Sequence, residues 1–144
     1  MLDIAIVGGG LCGLALARGL NEQGRSFDLF EARTRPGGRI LSVPVASGRA
    51  RLDLGPAWFW PQSHPMLTQL IEALRLHTFE QYDQGTVLSL EDPEKPPVSA
   101  AIDGVHGGAR RVTDGMASLT DALIAALPRF ASSRRPRSEG ARSS

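Results

Sequence analysis

The sequence predicts an α/β fold organised around a parallel βαβ unit, on three observations. Residues 3–7, Asp-Ile-Ala-Ile-Val, form a short β-branched run that ends in glycines. Residues 11–23 then carry Leu11, Leu14, Ala15, Ala17 and Leu20 at helical spacing. Residues 27–31, Phe-Asp-Leu-Phe-Glu, are a second run of strand character. Strand, helix and strand within about 30 residues make a crossover unit, whose two strands run parallel.

The elements follow in order. The first run is almost wholly apolar, which predicts a strand covered on both faces. The helix lays its apolar stripe on the sheet and stops at Gly24, a residue that accepts the left-handed conformation. Residues 40–45 and 49–54 flank Ser47-Gly48 and read as a hairpin, with Pro44 confining the first arm to an edge or a bulge. A second helix opens at His64-Pro65, where proline suits the first turn, and runs to about Leu76 with Leu67, Leu70, Ile71 and Leu74 on its apolar face. Short strands are predicted at 78–81, 86–90 and 98–102, the last two joined by the charged, proline-rich loop 91–97, whose Glu91, Asp92 and Glu94 read as solvated. Asp114 or Thr113 caps a last helix over 116–127, with Leu119, Leu123 and Leu127 on one stripe and Pro128 as its stop. Residues 129–144 hold five Arg and five Ser with almost nothing apolar to bury, so a disordered tail is expected after an α/β region covering 1–128.

Composition narrows the function classes. A chain of 144 residues has room for one ordinary domain, and its 16 basic and 15 acidic groups nearly cancel. The tail alone carries +4, which leaves residues 1–128 with 11 basic and 14 acidic groups, net −3. The tail has no interleaved aromatics, so no specific nucleic-acid partner is expected. One cysteine, Cys12, excludes an internal disulfide and a multi-cysteine metal site, and it reads as a small packed side chain. His64, His77 and His106 show no metal-ligand spacing. The uncharged stretch 4–17 has 14 residues, too short to span a bilayer, and lacks the basic leader of a signal peptide, so a cytoplasmic protein without a membrane partner is expected. Ten of the 16 glycines come before residue 56, which suggests a backbone that must lie close against something.

That something is indicated by Gly8-Gly9-Gly10-Leu11-Cys12-Gly13, a G-x-G-x-x-G set between a predicted strand and a predicted helix. In this setting Gly8 permits the tight turn, Gly10 lets a pyrophosphate lie against backbone N–H groups at the helix N-terminus, and Gly13 allows close helix–sheet packing. Glu31 ends the second strand 18 residues after Gly13, where an acidic side chain accepts hydrogen bonds from an adenosine ribose and repels a 2′-phosphate. These features describe a Rossmann-like unit for NAD or FAD.

Residues 31–39, Glu-Ala-Arg-Thr-Arg-Pro-Gly-Gly-Arg, resemble the E-A-x-x-R-x-G-G-R signature of the flavin-dependent amine oxidase superfamily. The similarity continues in Leu52-Asp53-Leu54-Gly55-Pro56-Ala57-Trp58, which looks like the family's D-x-G segment, and in 64–76, where Arg75 stands at a position often held by glycine. Residues 114–119, Asp-Gly-Met-Ala-Ser-Leu, resemble a G-G-M-x-x-L helix start. The resemblance covers most of 3–127 and is strongest over 4–58.

The resemblance implies FAD as cofactor and a small amine as substrate, with hydride passing from a C–H beside the nitrogen to the flavin and oxygen reoxidising it. By position, Gly8, Gly10, Leu11 and Gly13 would form the phosphate turn, and Glu31, Ala32 and Arg33 would meet the adenosine ribose. Gly38 and Arg39 would lie near the pyrophosphate and ribityl chain, and Gly55, Pro56, Ala57 and Trp58 would approach the flavin end. The Trp58-Phe59-Trp60 cluster would either line a substrate cavity or pack a core. Complete members of the family are several times longer and carry further strands, a substrate domain, a flavin-capping segment and a lysine near the flavin. Lys95, the single lysine, matches no family motif. The expectation is an incomplete Rossmann-like FAD-binding region with an added hairpin and short strands, an N-terminal fragment whose tail is out of frame or truncated. An NAD-binding module and a non-catalytic nucleotide-binding fragment acting with a partner are the alternatives, and unpaired sheet edges favour self-association.

Overall fold

The computed structural model describes residues 4–48, 50–100 and 106–127. Their elements, in chain order, are β1 (Ile4–Val7), α1 (Leu11–Glu22), β2 (Phe27–Phe30), β3 (Leu41–Pro44), β4 (Arg51–Gly55), α2 (Pro65–Ala73), β5 (Thr78–Glu80), β6 (Val87–Ser89), β7 (Val98–Ala100), β8 (Arg110–Val112) and α3 (Ala117–Ala125). The predicted crossover is present: β1 and β2 pair parallel, with Ile4 opposite Phe27 and Val7 opposite Phe30. The predicted hairpin is present too, as antiparallel β3 and β4 with a register shift between Leu41 and Ser42.

The expectation that β1 is buried on both faces is wrong. Ile6 is buried while Ala5 and Val7 are exposed, Val7 by 88%. Helices cover only one side of this two-stranded sheet, so Ile4, Ile6, Phe27 and Leu29 meet α1 and α3, whereas the face carrying Val7 and Phe30 is open. The apolar run is suited to a sheet with a layer on each face, and the described residues supply one layer.

Two apolar clusters hold the helices. Leu14, Ala17, Leu123 and Leu127 pack beneath β1, and Ile40, Phe59, Ile71, Val112, Met116 and Leu119 form the second cluster. Leu11, Leu70 and Leu74 touch both. Leu14, Leu119 and Leu123 are wholly buried; each contributes about 1.5–3 kcal/mol by leaving water.

Element boundaries differ from expectation where backbone chemistry intervenes. The second helix ends at Ala73, short of Leu76. Arg75 N–H bonds to Glu72 O and Leu76 N–H to Ile71 O, the paired bonds of a Schellman terminus, and Arg75 sits there at φ 55. A side chain in this left-handed conformation costs roughly 1 kcal/mol relative to glycine. Arg75→Gly is therefore expected to raise the unfolding free energy by about 1 kcal/mol, read by urea titration; a lower value would mean that the arginine stem contributes more packing than the turn costs.

The last helix spans Ala117–Ala125, and neither Asp114 nor Thr113 caps it. Its caps come from the hairpin. Met116 N–H donates to Asp53 Oδ1 at 2.8 Å and Ala117 N–H to Ser42 Oγ at 2.9 Å. Ser42 in turn donates its hydroxyl to Asp53 Oδ1. The strand β8 was not foreseen; it pairs antiparallel with β5, and Arg110 bridges Phe59. The other short strands are present, those at Thr78–Glu80 and Val87–Ser89 trimmed to three residues and Val98–Ala100 running to the edge of the described residues. Residues 101–102 of the predicted strand, the Pro128 stop and the 129–144 tail lie outside the described residues. No helix among the described residues is long and apolar enough to cross a membrane.

Candidate dinucleotide-binding site

The glycine turn joins β1 to α1. Gly8 takes φ 105, a conformation that side chains rarely adopt, and its N–H bonds to Phe30 O at 2.7 Å, tying the turn to the end of β2. Gly13 has no room for a side chain, because a Cβ there would stand 2.0 Å from Gly8 O. Gly10 is the N-cap of α1 and offers no side-chain cap, and the first turn of the helix holds no acidic residue. The positive end of the helix dipole is thus left for an anion. Space at Gly10 is of a different kind: a Cβ would meet only Gly38 Cα, at 3.9 Å, so it would fill a gap rather than collide.

Glu31 follows β2 and faces the same turn. Its Oε2 accepts the Gly9 N–H and its Oε1 the Arg33 N–H, each at 2.8 Å. These backbone bonds, Arg33's first and Gly9's second, hold the carboxyl below the usual carboxylate range. Each oxygen keeps a lone pair for a further donor. Gly9, which the motif treats as a free position, is closely neighboured here. A Cβ on it would lie 3.2 Å from Glu31 Oε2 and 3.3 Å from Glu31 Cβ, so Glu31 would have to give by a few tenths of an ångström.

The G-G-R loop lies across the turn. Gly37 N–H bonds to Gly9 O at 2.7 Å, and Gly10 and Gly37 form an isolated parallel bridge. Gly37 has φ 101, and a Cβ on Gly38 would stand 3.3 Å from Gly10 Cα, so the two backbones touch. Arg33, exposed like Ala32, donates to Gly38 O at 3.3 Å. Arg39 is exposed and makes no side-chain hydrogen bond or ion pair among the described residues.

The structure thus brings Gly8, Gly10, Leu11, Gly13, Glu31, Arg33, Gly38 and Arg39 to one place, with Ala32 beside Glu31. The remaining predicted residues continue from it. Gly55 pairs with Leu41, two residues past Arg39, so the hairpin brings the end of the D-x-G segment back to the loop's exit. Pro56 is exposed and Ala57 half-buried. Trp58 is 39% exposed, stacks on His106 at 4.7 Å and donates its indole N–H to Gln81. Phe59 packs the core, whereas Trp60 lines a shallow cavity of about 460 Å³ with Glu80, Arg110 and Ser63. The aromatic cluster therefore divides between core and surface. Cys12, expected to be packed, is exposed in the first turn of α1, because the helix presents that side away from the sheet.

This arrangement, a glycine turn feeding an uncapped helix with an acidic residue at the end of the next parallel strand, defines a dinucleotide-binding unit of the Rossmann type. Residues 6–74 match the NAD(P)-binding Rossmann-like domain family. Over the N-terminal region the relatives are flavin-containing amine oxidases. A putrescine oxidase of Kocuria rosea is 39% identical over 83 residues, 58% of this chain and 17% of the relative. A probable flavin-containing monoamine oxidase A of Dictyostelium discoideum is 35% identical over 85 residues, 59% of this chain and 18% of the relative. Among solved structures, a wild-type putrescine oxidase bound to putrescine superposes with a TM-score of 0.61 at 32% identity, covering 73% of this chain and 22% of that one. Cyclohexylamine oxidase of Brevibacterium oxydans IH-35A gives 0.53 at 29% identity, covering 60% and 19%. The chain therefore spans about a fifth of the length of the relatives it matches.

Proposed function

We propose that residues 1–128 are the cofactor-holding front of a flavin-dependent amine oxidase, with FAD as cofactor and a small amine as substrate. The observation that carries this reading is the G-G-R loop docked on the glycine turn, Gly37 N–H on Gly9 O at 2.7 Å, beside the Glu31 carboxylate fastened by two backbone N–H groups. In it Gly8, Gly10, Leu11 and Gly13 make the phosphate turn. Glu31, Ala32 and Arg33 take the adenosine ribose, and Gly38 and Arg39 the pyrophosphate and ribityl chain. Gly55, Pro56, Ala57 and Trp58 lead toward the flavin end. When bound, FAD supplies the two-electron acceptor for oxidation of a C–H next to an amine; the protein binds and orients. The open edges of the two-stranded sheets favour self-association. A chain with one cysteine suits the reducing cytoplasm, where we place it.

Glu31→Ala is expected to weaken FAD binding by about tenfold or more, since each charge-assisted bond to the ribose is worth roughly 1.5–3 kcal/mol; fluorescence titration of the purified chain reads it. Unchanged affinity would remove the ribose assignment, and tight NAD binding without flavin would replace the oxidase reading by that of an NAD module. The same carboxylate gives a pH dependence. Folding lowers its pKa, so its stabilising bonds are fully present above the unfolded value and are lost as pH falls through the folded one. Glu31→Gln should flatten the acid limb of the stability curve.

A further inference from the structure

Arg35 makes most of the side-chain bonds that shape the G-G-R loop, and Arg33 adds one to Gly38 O at 3.3 Å. Arg35 donates Nη1 to Ile40 O at 3.0 Å and to Pro36 O at 3.2 Å, and Nη2 to Gly38 O at 3.0 Å. Carbonyls at alternate positions thus converge on one half-buried guanidinium. A planar trans peptide that turns its C=O one way turns the following N–H the other way. The Pro36 carbonyl faces Arg35, and the Gly37 N–H on the same peptide points away onto Gly9 O at 2.7 Å. The Gly38 carbonyl also faces Arg35, so the Arg39 N–H points away from it, and that N–H meets no acceptor among the described residues. Gly38 itself lies against Gly10.

We infer that Arg35 is a positioning residue: its fork sets the 36–37 and 38–39 peptide planes, docking the loop on the glycine turn and presenting the Arg39 N–H to the diphosphate of the dinucleotide. This rests on the dinucleotide reading above. The role needs the planar fork of arginine, because a lysine ammonium is a point donor that cannot hold several carbonyls in fixed directions.

The test is selectivity between ADP and adenosine, measured by calorimetry on the full chain. Wild type should favour ADP. Arg35→Lys, which keeps the charge and loses the fork, should weaken ADP binding by about tenfold or more while leaving adenosine within about twofold, because Glu31 is untouched. Arg35→Gln serves as the second variant. An equal loss for both ligands would reduce Arg35 to a structural role, and an unchanged ADP affinity would equally overturn the assignment. In wild type, the Arg39 amide resonance should shift with ADP and stay in place with adenosine; no shift with bound ADP overturns the assignment without any mutant. Wild type that binds neither ligand would overturn the dinucleotide reading itself, and this inference with it.

Discussion

Gly13→Ala is expected to destabilise the chain by about 3 kcal/mol, whereas Gly19→Ala, further along the same helix, is expected to stabilise it by roughly 0.5–1 kcal/mol. Both are glycines within α1. Intrinsic helix propensity therefore favours alanine equally at the two sites, and only the surroundings separate them. At Gly19 a Cβ meets nothing within 4 Å. At Gly13 it would stand 2.0 Å from Gly8 O and 3.2 Å from Gly8 C. Backbone cannot move aside as a flexible side-chain tip does, and this backbone is pinned by the bond from Gly8 N–H to Phe30 O. Either α1 lifts from the sheet, opening the contact of Leu14 and Ala17 with Ile6, or the turn deforms and Glu31 loses the Gly9 N–H. Thermal unfolding followed by circular dichroism should show a drop of roughly 10 °C for Gly13→Ala and a small rise for Gly19→Ala. Equal shifts of the same sign would refute the close contact.

The same comparison explains which parts of the site were legible in sequence. The Gly8–Gly13 turn and Glu31 are encoded by spacing within one crossover unit, where chain connectivity alone brings the residues together. Gly9 carries no such signal, since its tight surroundings come chiefly from Glu31, 22 residues on. Arg35 was part of the G-G-R motif, but its work is done through carbonyls, which no residue pattern displays. Arg75 is visible in the sequence only as a departure from the family pattern it resembles, and the left-handed terminus gives that departure a physical meaning.

Beyond the crossover unit, legibility fades because partners become distant. Residues 110–112, Arg-Arg-Val, have little strand character of their own; β8 exists because Thr78–Glu80 and Phe59 offer it hydrogen-bonding edges. The pairing also draws Arg110 over Thr78, whose hydroxyl and carbonyl it binds at 3.1 and 3.3 Å. The β1 misreading has the opposite origin. Its composition describes a strand between two layers, and the layer over Val7 and Phe30 is not among the described residues. Local composition reports what a segment tolerates, and the neighbours decide what it does.

Asp53→Ala is expected to cost about 2–3 kcal/mol, and Asp53→Asn less than about 1 kcal/mol. Asp53 lies 63 residues before the N–H it accepts, beyond the reach of any local capping pattern. Its side chain is 1% exposed, and its Oδ1 takes both the Met116 N–H and the Ser42 hydroxyl. Ser42 Oγ then takes the Ala117 N–H. Alanine leaves the Met116 N–H without its acceptor and frees the Ser42 hydroxyl, whose oxygen is then no longer held against the Ala117 N–H. Gly115 closes the space: a Cβ there would lie 3.0 Å from Ser42 Oγ, so the hairpin and α3 cannot readjust freely. Asparagine keeps the Oδ1 acceptor. The charge it gives up is paired with Arg111 Nη2 at 3.6 Å, but Oδ2 takes no hydrogen bond. The amide loses that attraction and avoids the cost of desolvating a buried carboxylate, and the two largely offset. Urea titration of the two variants separates the alternatives. If asparagine proves as damaging as alanine, the carboxylate acts by pairing with Arg111 rather than by capping α3. Hydrogen exchange gives the second reading, because the Met116 and Ala117 amides should lose protection in the alanine variant and retain it in the asparagine one.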